Sequence, residues 1–163
     1  MAESNVQEEV LRQLEEYSAN KRRIDALRYE LEQYRDLSPD EMIDSMNFSH
    51  GDDGVRSSMG HTSDKTPYIA LHYLQQASER NRRTREEILA EYLPVVRKVD
   101  RLERYISLLK NREANVIYMI YKERLKNVDI AKRLKVSAKS VSNLKKRAVE
   151  HLREIYAFTS DFR

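Results

Sequence analysis

The chain of 163 residues contains no cysteine. Disulfides, thiolate nucleophiles and cysteine-ligated zinc are therefore excluded. Glycine and proline are nearly as scarce, with three of each, while 35% of residues are charged. A β-sandwich or a Rossmann-like fold needs more turn residues than this, so the composition predicts long helices with solvated faces. No apolar run approaches the ~20 residues of a membrane span. The opening AESNVQEEV is acidic and has no apolar core of a secretion signal. The expectation is an all-α protein of the cell interior, most simply cytoplasmic, with no membrane partner.

The net charge of +3 conceals an asymmetry. From Val95 to Arg163 there are 18 Lys/Arg against 8 Asp/Glu, a balance of +10, and residues 1–94 carry −7. A basic half of this kind suits the neutralisation of phosphates. Taken alone, it describes a well-solvated face equally well.

Five segments are expected: a long helix at 1–37, a flexible linker at 38–66, central helices at 67–110, a helix-turn-helix domain at 111–157 and a tail at 158–163. In the first, Val10, Leu14, Tyr17, Ile24, Leu27, Leu31 and Tyr34 follow steps of three and four, and Lys21 falls where another apolar residue is due. A helix over 5–37 would span roughly 45 Å, stopped by Ser38 and Pro39. The linker holds all three glycines and allows a short helix at Asp40–Met46. Its His50, His61, Asp52, Asp53 and Asp64 match no metal-site spacing, so neither a metal nor a cofactor is expected. Pro67 suits the first turn of a helix whose Ile69, Leu71, Tyr73, Leu74 and Ala77 make a broad apolar face. Beyond it, SERNRRTREE reads as a solvated helical surface. Ile88, Tyr92, Val95, Val99, Leu102, Ile106 and Leu109 then alternate steps of four and three, a heptad seam that requires a partner. The first helix of the same chain or a second subunit could supply it. Pro94 either kinks this helix or starts a new one after Leu93. A bracing helix beginning at Asn111 carries Val116, Ile117, Met119 and Ile120, with Tyr121 at its end.

The strongest pattern is Asn127–Arg147, NVDIAKRLKVSAKSVSNLKKR. Ile130, Ala131 and Leu134 form one apolar stripe, and Val141, Leu144 and Ala148 form a second, with Val136 in the turn between them. Two short helices so striped close on one core as a helix-turn-helix. Asn127 and Ser137 are expected as caps of the two helices. Lys135 occupies the turn position where glycine is common, at a cost of about 1 kcal/mol if its backbone is left-handed. Between the stripes the second helix presents Lys139, Ser140, Ser142, Asn143, Lys146 and Arg147, which are donors and small polar groups suited to base edges and phosphates. There is no nucleophile–base pairing, phosphate-cradling glycine loop or metal-ligand spacing, and no catalytic residue is expected.

These residues carry a resemblance. The segment from Tyr105 to Ile155, with its bracing helix, D-I-A-x-x-L, a turn ending in Ser, V-x-x-L and A-x-x-x-L, resembles the region-four helix-turn-helix of bacterial sigma factors. No polymerase-core-binding region of a sigma factor is evident upstream. A chain of this length is similar instead to the phage and prophage regulators that carry such a domain behind a helical N-terminus, as in the ArpU-type late transcriptional regulators. The resemblance implies that Lys139, Ser140, Asn143 and Lys146 read bases or flanking phosphates. It also implies that Ser137 and Lys145 or Arg147 hold the backbone, with Lys132 and Arg133 reaching phosphates from the preceding helix. Asn143 is the best candidate for base readout, because its amide can pair bidentately with adenine.

The expected function is sequence-specific regulation of transcription, with helix 138–153 entering the major groove of double-stranded DNA. A homo-oligomer, with a dimer favoured, would read two half-sites about one helical turn apart. Two alternatives stay open. One is a DNA-recognising packaging subunit of the small-terminase kind. The other is a helical adaptor whose partner is RNA polymerase.

Overall fold

The computed structural model describes residues 2–41 and 66–160, with side chains from 5 to 41 and from 71 to 159. Most of the expected linker, its glycines, histidines and aspartates, the side chain of Ile69, and the last residues of the tail lie outside the described residues. Every regular element among the described residues is helical. In chain order these are α1 (Ala2–Gln33), α2 (Thr66–Ser107), α3 (Asn111–Ile117) with one wide turn at Tyr118–Lys122, α4 (Asn127–Leu134) and α5 (Ala138–Ser160). The molecule is all-α, as its composition predicts. No helix among the described residues is long and apolar enough to cross a membrane.

The contacts divide the chain into two units, Met1–Ala26 with Tyr92–Arg163, and Leu27–Glu91. In the second, α1 ends at Gln33, four residues short of the expected stop. Asn81 of α2 accounts for this. Its Oδ1 accepts from Tyr34 Oη and from the Leu37 backbone N–H, each at 3.0 Å, and its Nδ2 donates to the Leu37 carbonyl at 3.1 Å. The backbone groups of Leu37 thus find partners outside a helix ladder. Ser38 and Glu41 then exchange side-chain-to-backbone hydrogen bonds, the reciprocal arrangement that opens a helix. On α2, Ala77 is buried, but Leu71 and Leu74 are more than half exposed, so the broad apolar face is only partly used. α2 runs unbroken through Pro94, so no new helix starts there.

The first unit holds two apolar clusters. The larger joins Val10, Leu14 and Tyr17 of α1, Val99, Leu102 and Ile106 of α2, and Ala148, Leu152 and Tyr156 of α5. The C-terminal half of the heptad seam thus finds its partners within the chain, in α1 and α5. Lys21, the gap in the α1 stripe, lies 3.4 Å from Glu103. Tyr17 Oη donates to the same carboxylate at 2.6 Å. Burial, then that hydrogen bond and the charge of Glu103, push the Tyr17 phenol well above its usual range. Tyr118 moves the same way, by burial first and by Glu103 second. At the other end, Tyr156 Oη donates to Gln13 Oε1 at 2.6 Å. Arg101 lies over the rings of Tyr105 and Tyr156 and donates to Thr159 Oγ1 at 2.8 Å, which holds the last turn of α5 beyond its expected end.

Candidate nucleic-acid interface

The smaller cluster is the core of the helix-turn-helix. Val116, Ile130, Ala131 and Val141 are buried together, with Met119, Leu125, Leu134 and Leu144 packed around them. Burial of Val116, Ile130 and Val141, each worth about 1.5–3 kcal/mol, with the small Ala131 allowing close approach, fixes α4 against α5. Ala148 departs from the expected grouping. It is fully buried, but in the larger cluster with α1 and α2. Val136 is 38% exposed and lies outside this core, because the turn carries it to the surface.

The caps differ from one another. Ser137 behaves as expected: its Oγ accepts the Ser140 N–H at 3.1 Å. Asn127 does not cap α4. It is the first helical residue, the cap position is Lys126, and no side chain bonds there. The turn between the helices closes through Lys135, whose φ of 54° is left-handed. The Val136 N–H reaches the Ala131 carbonyl at 3.0 Å, which satisfies a carbonyl at the end of α4. Arg124 plays the same part at the end of the wide turn, with φ 58°. That turn brings Tyr121 into the core, where the Tyr121 carbonyl accepts from Ser18 Oγ of α1 at 2.9 Å.

The faces of α5 separate cleanly. Val141, Ala148 and Leu152 are fully buried on one side. Lys139, Asn143, Lys146 and Arg147 are exposed on the other, spaced three and four apart on a single stripe. Ser140 and Ser142 are half-buried on its two flanks. The remaining predicted residues are engaged elsewhere in part. Lys145 Nζ sits 5.3 Å above the Tyr121 ring, and Arg133 donates to Glu123 Oε2 at 2.6 Å. Lys132 is exposed on α4. Ser137 also shares a 2.8 Å hydrogen bond with Ser140 Oγ.

Two clefts border the exposed stripe. One is lined by Arg112, Lys135, Ser140, Asn143 and Arg147, with no carboxylate among its lining residues. The other lies between α1 and α5 and includes Gln7, Asn127, Ser142 and Lys146. Arg112 and Gln7 were not singled out by the sequence pattern. Arg112 precedes the apolar positions of the bracing helix and carries no periodic signal. Gln7 comes from the opposite end of the chain, and no local pattern could place it here.

This arrangement has a counterpart among known proteins. Residues 105–154 match the family model of sigma-70 region 4. No curated protein and no solved structure matches the chain. The region-4 segment runs from the last turn of α2 through α3 and α4 to the buried stripe of α5, and it is a helix-turn-helix of a DNA-binding kind. α1 and most of α2 lie outside it, although both contribute side chains to the core on which the region-4 segment rests.

Proposed function

We propose that the protein is a sequence-specific DNA-binding regulator of transcription that inserts the N-terminal half of α5, Ala138–Arg147, into the major groove. The observation that carries this reading is the stripe of Lys139, Asn143 and Lys146, exposed along α5 opposite its buried face. A helix of this composition offers amide and ammonium donors to base edges and phosphates. Lys132, on the preceding helix, and Ser137, Ser140, Ser142, Lys145 and Arg147 flank the stripe as backbone contacts, and Arg133 joins them on release from Glu123. The protein acts in the cytoplasm of a bacterial cell as a phage- or prophage-type regulator. This part of the reading rests on the resemblance to the ArpU-type proteins and on the helical extension before the region-4 segment. It works as a homodimer on paired half-sites, has no catalytic activity and needs no cofactor.

Selection of bound sequences from random duplex DNA, with the mass of the free protein measured in solution, tests the proposal. Enrichment of one motif by a dimer is the expected result. A ring of many subunits would favour a packaging role instead. A protein that binds RNA polymerase without salt-sensitive DNA affinity would be an adaptor.

A further inference from the structure

The cleft between α1 and α5, about 590 Å³ in volume, has walls from three elements. Gln7 and Leu11 form one side, Ser142, Lys146 and Arg153 the other, and Asn127 at the start of α4 closes one end. Two of these residues, Ser142 and Lys146, belong to the surface assigned above to DNA. Gln7 is exposed across the cleft from them. Its amide can donate to an anionic oxygen and carries no charge to repel one. The cations lining the cleft are Lys145, Lys146 and Arg153. The single lining carboxylate, Glu150, lies 4.0 Å from Arg153 and is offset by it. The nearest described acids along α1 are Glu8, which is exposed and not among the lining residues, and Glu9, which accepts from Gln13 at 2.6 Å and from Arg12.

We propose that α1, an element outside the region-4 segment, forms part of the DNA interface, and that the Gln7–Lys146 cleft seats the sugar-phosphate backbone of one strand. The inference rests on the DNA-binding reading above. A helix in the major groove is flanked by backbone on both sides. Here the flank on the α1 side is walled by a helix from the far end of the chain. The N-terminal helix thus has a second task besides completing the core, and the DNA footprint is wider than a lone region-4 unit would leave.

Nonspecific affinity is carried by phosphate contacts, so a mixed-sequence duplex reports the cleft without knowledge of the target site. The full-length chain is titrated with this duplex over a range of salt. Gln7→Lys adds a cation at the strand. It should tighten binding and steepen the log–log salt slope by about 0.9. Gln7→Glu should weaken binding by about threefold or more, through repulsion of the phosphate. Gln33→Lys, the same change at an exposed position outside the cleft, is the control and should do neither. Gln7 is exposed and both replacements are good helix formers, so the fold is retained. If Gln7→Lys behaves like Gln33→Lys while Lys146→Ala weakens binding, the cleft carries no strand and the proposal fails, with the function intact. If the parent chain shows no salt-dependent binding to the duplex, the reading on which the proposal rests fails with it.

Discussion

His151 Nδ1 of α5 donates to Glu113 Oε2 of α3 at 2.9 Å, and Glu113 is only 3% exposed. The pair ties the bracing helix to the helix that carries the exposed stripe of Lys139, Asn143 and Lys146. His151→Ala would leave a buried carboxylate oxygen without this donor, at a cost of about 1–3 kcal/mol. Urea unfolding should show that loss. Glu113→Gln in the His151→Ala background should recover part of it, because an amide tolerates burial better than a carboxylate.

Asn143 and Lys146 should separate on DNA. Lys146→Ala is expected to weaken binding to all sequences alike and to lower the salt slope by about one. Asn143→Ala should cost about 1–3 kcal/mol at the selected site and relax preference at one base pair, with the nonspecific affinity kept. Fluorescence anisotropy on matched and scrambled duplexes distinguishes the two. Equal binding by both variants and the parent on the selected site would overturn the assigned face.

Lys135 holds a left-handed backbone with φ 54°, where a Cβ is penalised. Lys135→Gly should stabilise the fold by roughly 0.5–1 kcal/mol. Thermal unfolding checks this, and a variant less stable than the parent would show that the Lys side chain contributes more than its backbone costs.

The buried phenol of Tyr17 and the half-buried one of Tyr118 predict alkaline sensitivity. Tyr17 and Tyr118 titrate above their usual range in the folded chain. The native state therefore holds these protons more tightly than the unfolded chain. The stabilisation is fully present below a pH of about 10, the unfolded phenol value, and is lost as pH rises through the folded values. Tyr17→Phe should flatten the decline of stability between neutral and strongly alkaline pH. An unchanged slope would remove Tyr17 as its source.

Leu14 of α1 is buried in the cluster that includes Leu152 of α5. Leu14→Ala should destabilise the protein by about 2–5 kcal/mol, a transfer-plus-cavity cost, and should reduce DNA affinity as the helix-turn-helix loses its support. If chemical unfolding leaves the domain as stable as the parent, α1 is dispensable to that core.

What the sequence made legible was local. The stripes at Ile130, Ala131 and Val141, the Ser137 cap and the left-handed risk at Lys135 all depend on residues within a few turns of each other, where periodicity and capping chemistry act directly. The early stop of α1 was hidden because it depends on Asn81, more than forty residues away. The failure of Asn127 as a cap was a shift of one position, which propensity does not resolve. Ala148 matched its stripe by period, yet period cannot say which of two cores a helix face will meet. The Gln7 side of the interface was invisible for the same reason: only the folded chain brings α1 beside α5.

The bond from Tyr156 to Gln13 spans 143 positions. During synthesis α1 is made before α2 and α5, so the surface on which it docks is complete only once both have followed. Closing so long a loop is slow, so Val10, Leu14 and Tyr17 stay without their α5 partners until that helix has been made. The core that supports the helix-turn-helix is therefore complete only after α5 has been made, and a chain cut short before α5 would lack it.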